Sequence, residues 1–204
     1  VIENNGRIWR AIEQVDATIP PGKSTNYRSF GLSAPVGADL LNSSSWTASN
    51  SLLGDDFLPG RGWLEGGPVV KPQGDLAVML RTAYIGDFSA LLDVSADGST
   101  LSYNPPGVTN PFPGGAINKF TVRFDETTGR YWSLANDHPT PGDVRNVLSL
   151  ASSANLTDWQ VEAAILSHGD PVNVGFQYAD FQFEGDDMIF VSRTAFNGAA
   201  NFHD

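Results

Sequence analysis

Four short strings of the sequence are versions of one another, and their spacing constrains the fold more than any other feature. Each string combines a glycine with an apolar, β-rich run that ends in a small or basic residue. The anchor residues of the four copies are Arg10, Arg81, Ser133 and Arg193. Successive anchors lie 71, 52 and 60 residues apart, which is long enough for a small sheet and too short for a domain. The chain is therefore predicted to be a series of repeated sheets.

Each copy is predicted to contribute the second strand of a β-hairpin. An extended segment precedes the glycine turn and the apolar run follows it, which is the pattern of two antiparallel strands joined by a tight connection. Partner strands are predicted at 67–71, 120–124 and 181–183. The first copy has no such partner in the sequence pattern, so we expect its repeat to begin at the second strand.

A third extended segment follows each hairpin and ends in a polar turn capped by a bulky apolar residue. These turns span 38–46, 95–101 and 152–159. They resemble the Asp-box turn of sialidase-like propellers, although the spacing at 95–101 is one residue short and Asn155 and Asp158 stand outside the usual register. An ordinary polar β-turn next to a hydrophobic residue is the alternative interpretation.

Composition agrees with an all-β chain. The sequence has 21 Gly, 13 Pro and only 17% charged residues, and its one helical period is a weak stretch at 161–166. The expected fold is a β-propeller of four-stranded antiparallel blades, since propellers repeat such sheets about four to eight times. The blade-like repeats are placed at about 1–50, 62–105, 115–162 and 174–204, in one propeller domain or part of one.

About three to four blades can be counted, so we expect an incomplete portion of a five- or six-bladed propeller. Open sheet edges at both ends would then be covered by a further segment of the same propeller, because unpaired edges invite aggregation.

Charge and composition argue against several classes of partner. A net charge of -11 and a pI of about 4.5 disfavour nucleic acid, because there is no Lys/Arg cluster to offset phosphate repulsion. The chain has no cysteine and three scattered histidines, so neither a metal site nor a cofactor is expected. No apolar run approaches the roughly 18 residues of a membrane span.

Several strings extend the resemblance to nearly the whole chain. They are Gly62-Trp-Leu-Glu-Gly66, Pro113-Gly-Gly-Ala116, Arg145-Asn146, Gly175-Phe-Gln-Tyr-Ala-Asp180 and Ser192-Arg-Thr-Ala195. The chain resembles exported sialidase-like proteins, also described as exo-α-sialidase domain proteins. This resemblance implies a secreted or extracellular protein, on the cell surface or in the periplasm if bacterial. It also implies a carbohydrate site at the axial mouth of a propeller of the glycoside-hydrolase type.

Glu65 and Asp180 are the candidate catalytic carboxylates. They lie at matching positions of two repeats, each shortly before an extended hydrophobic strand, and glycosidic cleavage requires a carboxyl pair acting as acid and as base or nucleophile. Tyr178 is a candidate nucleophile or sugar contact, with Asp180 two residues away as its base. The alternatives are that Glu65 caps a turn, that Asp180 bonds a neighbouring backbone, and that Tyr178 packs in the core.

Arginines at matching anchors suggest a clamp for an anionic sugar. Arg10, Arg81 and Arg193 occupy this position in three copies, and converging guanidinium groups bind a carboxylate or sulfate in bidentate fashion. A repeated arginine is also suited to tying neighbouring blades together. The remaining candidate substrate-binding residues come from first strands and a proline-rich rim loop: Trp63, Gln177, Lys119, Arg145 and His138. His203 and Asp204 form a further candidate pair where another strand is expected to start.

Three functions are consistent with the sequence. The favoured one is a sialidase-like glycoside hydrolase acting on a glycan, possibly an acidic one. The second is a noncatalytic propeller that binds glycan or protein at the same mouth. The third is a polysaccharide lyase, which would need His138 or His203 beside Tyr178.

Overall fold

A computed structural model describes residues 1–19, 26–58, 62–82, 88–104, 112–113, 118–137 and 144–196. These residues form antiparallel strands arranged in four sheets, with two short 3-10 helices at Ser43–Ser45 and Gly54–Asp56. The predicted all-β class is confirmed. Within the described residues, no helix is long and apolar enough to cross a membrane.

The first two sheets each begin with a hairpin. The first sheet contains β1 (Ile2–Asn4), β2 (Arg7–Val15), β3 (Tyr27–Pro35), β4 (Thr47–Ala48) and β5 (Leu52–Leu53), with both β4 and β5 pairing with β3. The second sheet runs in chain order through β6 (Trp63–Val70), β7 (Leu76–Thr82), β8 (Ser89–Val94) and β9 (Leu101–Ser102). Because β1 pairs with β2 around Asn5 and Gly6, the expectation that the first repeat starts at its second strand is wrong.

The third and fourth sheets repeat the same hairpin. The third sheet runs through β10 (Thr121–Asp125), β11 (Arg130–Asn136), β12 (Val147–Ser153) and β13 (Trp159–Ser167). The described part of the fourth sheet consists of β14 (Gly175–Glu184) and β15 (Asp187–Ala195). All three predicted hairpins therefore form, and the weak helical period at 161–166 belongs to strand β13.

The chain divides into two compact units. The first contains the described residues up to 104 except Phe88, and therefore the first and second sheets. The second contains Phe88 and the described residues from 112 to 196, and therefore the third and fourth sheets.

The core of the first unit lies where the first and second sheets pack face to face. Its buried side chains come from β2, β6, β7, β8 and β9 and include Trp9, Trp63, Val78, Leu80 and Leu92. Strand β7 is buried at every position except Arg81. A strand buried on both faces reads as a continuous apolar run rather than an alternating one, as Leu76–Leu80 does.

The second unit has a core of its own. Leu134 of β11 and Leu148 of β12 pack with Phe176, Ala179 and Phe181 of β14. Asn136 links the same strands, because its side-chain amide donates to the carbonyl of Phe176 at 2.6 Å and to that of Val147 at 3.0 Å. Apolar packing and a buried side-chain hydrogen bond therefore join the third sheet to the fourth.

The turn between β8 and β9 is organised around one carboxylate. Asp97 accepts from the Ser95 hydroxyl at 2.6 Å and from the Ser99 amide at 3.0 Å, while Gly98 has a φ of 77°. These hydrogen bonds, led by that of Ser95, lower the pKa of Asp97 to about 2. Asn50 holds the end of the turn by bonding the backbone of Leu101 in both directions.

The turn between β12 and β13 repeats this geometry with different residues. Asn155 replaces the aspartate and accepts from the amides of Thr157 and Asp158 at 2.9 and 2.8 Å. Leu156 has a φ of 68° and stands where the other turn has glycine. Both turns thus begin with a serine, continue with an Asp or Asn two residues later and then a left-handed residue, and end on an apolar residue at the seventh position. The turn at 38–46 is built differently, around a 3-10 helix capped by Asn42.

Close packing at Gly66 generates a stability prediction. A Cβ at this position would lie 2.5 Å from Leu80 Cδ2, 2.8 Å from Val78 Cγ1 and 3.2 Å from Ala11 Cβ. Gly66→Ala is expected to lower the free energy of unfolding by about 1–3 kcal/mol, the usual cost of overpacking a core. Urea denaturation measures the change. Gly67→Ala is the matched control, because its Cβ would meet nothing within 4 Å; an equal loss in both variants would contradict the packing argument.

The Asp97 turn generates a prediction about pH. Its folded pKa of about 2 lies below the ordinary value of 3.8, so its stabilisation is complete above the unfolded pKa and is lost as the pH falls through about 2. The wild type is expected to exceed Asp97→Asn in thermal midpoint at pH 6, and the gap is expected to close between pH 4 and pH 2. Thermal melts across that range test this. A gap that stays constant down to pH 2 would show that ionisation of Asp97 does not matter.

Candidate functional site

Two first strands, β6 and β14, carry the same irregularity at their candidate residues. In β6 the pairing shifts between Leu64, opposite Arg81, and Gly67, opposite Met79. In β14 it shifts between Gln177, opposite Arg193, and Asp180, opposite Val191. In each case two residues of the first strand, 65–66 or 178–179, lie opposite a single residue of the second strand, which defines a β-bulge. Both bulges interrupt the first strand of a hairpin, four ladder pairs from the turn in β6 and five in β14.

A residue with positive φ starts each bulge. Glu65 has a φ of 51° and Tyr178 a φ of 53°, a region that non-glycine residues seldom occupy. The register therefore makes Glu65 equivalent to Tyr178. The sequence-based match of Glu65 with Asp180 is wrong, because Asp180 aligns with Gly67 after the bulge.

Each bulge residue contacts the arginine of the following strand. The Glu65 carboxylate accepts from Arg81 Nη1 at 2.7 Å, and the two side chains are 21% and 15% exposed. In the other hairpin the Arg193 guanidinium lies 4.4 Å from the centre of the Tyr178 ring, which is cation–π geometry. The same backbone arrangement thus presents an ion-paired carboxylate in one sheet and a phenol under a guanidinium in another.

The arginine correspondence predicted from the sequence holds for Arg81 and Arg193 alone. Both lie opposite the residue that precedes the bulge, Leu64 and Gln177 respectively. Arg10 is exposed and lies opposite Leu32 in a regular ladder, so its assignment to the same position is wrong. The shared string Arg-Thr-Ala, present at 81–83 and 193–195 and absent after Arg10, is the sequence signal for the correct pairing.

Asp180 lies on the surface of the second unit. Its carboxylate accepts from Arg123 Nη2 of β10 at 3.0 Å and from the amide of Phe181 at 2.9 Å, and its side chain is 59% exposed. The bulge breaks the alternation of faces along β14, so the two-residue spacing does not put Asp180 on one face with Tyr178. Arg123 is a residue that the sequence analysis missed, because its partnership joins different sheets.

Arg145 and Gln177, both predicted to bind substrate, lie together in the interior of the second unit. They are 6% and 2% exposed, and Arg145 Nη1 donates to Gln177 Oε1. The Arg145 carbonyl also accepts from the Phe176 amide at 2.7 Å. The expected rim position of Arg145 is wrong, since the residue ties the segment before β12 to strand β14.

The other predicted contacts have different environments. Trp63, a predicted substrate contact with glycines near it in the sequence, is fully buried. Its ring stacks on Phe57 at 5.5 Å and contacts Tyr103 at 5.2 Å. Lys119 Nζ donates to the carbonyl of Phe120 at 3.1 Å. The remaining predicted residues, His138, His203 and Asp204, lie outside the described part of the chain.

The described residues contain no group of three or more His, Cys, Asp or Glu side chains that is suited to hold a metal ion. The chemical groups at the bulges are a carboxylate, a phenol and two guanidinium groups. These groups accept protons, donate hydrogen bonds and bind hydroxyl or carboxylate oxygens.

No family model matches the sequence, and comparison with curated proteins finds no match. Comparison with solved structures finds matches over most of the chain. One is an exo-1,5-α-L-arabinanase from a bovine ruminal metagenomic library, 9% identical over 94% of this chain and 66% of its own length, with a TM-score of 0.57. Another is an exo-β-1,3-galactanase from Clostridium thermocellum, 11% identical over 92% of this chain and 42% of its own length, with a TM-score of 0.47.

This chain thus spans less than two thirds of either structure. Identity this low reports on fold and not on activity. The likeness to the arabinanase structure agrees with the repeated antiparallel sheets, and the chain has a β-propeller fold.

A double-mutant cycle tests whether the Glu65–Arg81 contact is a strong ion pair. Using Glu65→Gln and Arg81→Gln, we expect a coupling energy of about 1–3 kcal/mol, because both side chains are mostly shielded from water. Urea denaturation of the single and double variants measures it. The exposed pair Arg123–Asp180, treated the same way, is the control, with coupling below about 1 kcal/mol. Equal coupling energies in the two cycles would mean that shielding gives the Glu65 pair no advantage.

Proposed function

We propose that this protein acts on a glycan as a propeller of the glycoside-hydrolase type. The observation that carries the proposal is the pair of equivalent bulges, which hold Glu65 and Tyr178 against Arg81 and Arg193. The fold likeness to an arabinanase raises the expectation of a glycan substrate by analogy alone.

Backbone strain supports a functional role for the bulges. A non-glycine residue in a sparsely populated φ/ψ region costs roughly 1–3 kcal/mol, and such residues cluster at active sites and ligand clamps. Glycine at either position would remove the strain. The chain instead has a glutamate and a tyrosine there, the two residue types whose side chains carry out or assist glycosyl transfer.

Glu65 is assigned as the base or nucleophile. Arg81 holds one carboxylate oxygen at 2.7 Å and fixes the orientation of the group, so that it is prepared to accept a proton or to face developing positive charge on a sugar ring. Asp180 is assigned as the second carboxyl group, because hydrolysis of a glycosidic bond uses two. Its exposed side chain is accessible to a leaving-group oxygen.

Tyr178 is assigned as a sugar contact. The resemblance to sialidase-like proteins suggests a further role for Tyr178 as the nucleophile, which requires an adjacent base. An acidic sugar at either bulge would have to displace an internal partner of the arginine, the Glu65 carboxylate at Arg81 or the Tyr178 ring at Arg193. The contacts therefore favour a neutral glycan over an acidic one.

A noncatalytic glycan-binding propeller is the second candidate. The observation that favours it is the involvement of both bulge arginines in contacts within the chain, which is also what a purely structural brace would show. Binding without cleavage is the result that separates it from the hydrolase.

Activity of the full-length protein on a panel of arabinose-, galactose-, uronate- and sialic acid-containing glycans tests the proposal. Cleavage of one class is expected, and Glu65→Gln and Asp180→Asn are each expected to lower kcat at least about 100-fold, as loss of an acid or base does. Asp75→Asn, at an exposed turn, is the matched control and should retain full activity.

Thermal melts must show that each variant is folded. Wild-type rates in both folded variants would remove the carboxylates from the mechanism. Glycan binding without cleavage by the wild type would support the recognition module instead.

A further inference from the structure

A cleft in the second unit lies apart from the two bulges. It has a volume of about 270 Å³ and opens between the turn joining β10 to β11 and the turn joining β14 to β15. Its lining consists of Asp125, Thr127, Thr128, Trp132, Leu150, Phe183, Gly185, Asp186, Asp187 and Met188. Drug-sized pockets span roughly 300–1,000 Å³, so this cleft suits a single side chain.

The floor of the cleft is apolar. Trp132, Leu150, Phe183 and Met188 pack at the margin of the second unit's core and remain partly accessible. The core is thus incomplete where the two hairpin ends diverge. A methylene chain laid on this floor would complete the packing and lose water contact, which is the driving force for burying an apolar stem.

One end of the cleft is held rigid by a chain of hydrogen bonds. Trp132 Nε1 donates to Thr128 Oγ1 at 3.1 Å, and the same hydroxyl donates to Asp125 Oδ2 at 2.6 Å. Asp125 also accepts from the amide of Thr127 at 3.0 Å. The pKa of Asp125 lies below its ordinary value, mainly because of the hydrogen bond from the Thr128 hydroxyl. The indole face and a charged carboxylate are therefore fixed beside each other before any ligand arrives.

The opposite rim adds two exposed carboxylates, those of Asp186 and Asp187. The lining contains three acidic side chains and no basic one. It therefore repels an anion and attracts a cation, and the net charge of -11 for the whole chain acts in the same direction. A cation beside the Trp132 ring gains a cation–π contact as well.

We propose that this cleft is a docking site for a lysine side chain of a partner polypeptide. Lysine combines one ammonium group with an apolar stem, and the cleft combines an acidic rim with an apolar floor. A free diamine fits less well, because its second charge would lie against the floor. A neutral sugar would leave the carboxylates of the rim without a counter-charge.

Nuclear magnetic resonance with the full chain tests the proposal, using Nα-acetyl-lysine N-methylamide as the probe. Saturable shifts are expected for the Trp132 indole N–H and for the backbone amides of 125–128 and 185–188. Binding should weaken as salt is added, since exposed charges are screened. 1,4-Diaminobutane, N-acetylglucosamine and acetate are expected to bind at least about fivefold more weakly, a factor equal to roughly 1 kcal/mol.

Two double variants separate the cleft from the general charge of the protein. Asp186→Asn with Asp187→Asn is expected to weaken binding of the lysine probe about fivefold, as loss of exposed charge pairs does. Asp56→Asn with Asp75→Asn removes the same charge from two exposed positions of the first unit, one in a 3-10 helix and one in a turn, and should leave binding unchanged. Equal weakening by both pairs, an absence of saturable shifts at the cleft, or tighter binding of the diamine or the sugar would overturn the proposal.

Discussion

The first unit depends on one constraint: β7, the second strand of the β6–β7 hairpin, is buried on both of its faces. Strand β7 has neighbouring strands on each side and side chains packed above and below it, so positions 76–80 are all fully or nearly fully excluded from water. This arrangement requires the first sheet to approach β7 closely. Gly66 makes the approach possible, because any Cβ there would meet Leu80, Val78 and Ala11.

The sequence-based expectations that held are those that depend on local signals. Glycine turns, apolar runs and polar turn residues are local signals, and they predicted the three hairpins and the two matching turns at 95–101 and 152–159. Exposure is not local. Trp63 lies between glycines in the sequence, yet Phe57 and Tyr103 cover its ring.

The bulges explain why the candidate site was predicted only in part. An extra residue in one strand shifts the pairing without leaving a compositional mark. Matching the ends of the apolar runs therefore aligned Arg10 with Arg81, and matching positions just before hydrophobic strands aligned Glu65 with Asp180. The hydrogen-bond register aligns Arg81 with Arg193 and Glu65 with Tyr178. Residue types were thus readable from the sequence, while their equivalence depended on a backbone irregularity. The contact of Asp180 with Arg123 depended on packing between sheets and had no sequence signal.

Many of the basic residues are engaged in contacts within the chain, and this limits the charge of the ligands that the protein is able to bind. The chain has 12 Lys and Arg against 23 Asp and Glu, and several of the arginines are held within the fold. Arg7 bonds Ser33 and Thr47, Arg130 bonds Ser152, and Arg28 pairs with Asp16 at 2.7 Å.

Arg81, Arg123 and Arg145 are held in the same way, by Glu65, Asp180 and Gln177. Each of these contacts engages part of a guanidinium group that would otherwise attract anions, whereas most of the excess carboxylates stay on the surface. An anionic ligand must therefore displace an internal partner and also approach against the overall field, while neutral and cationic ligands meet neither cost.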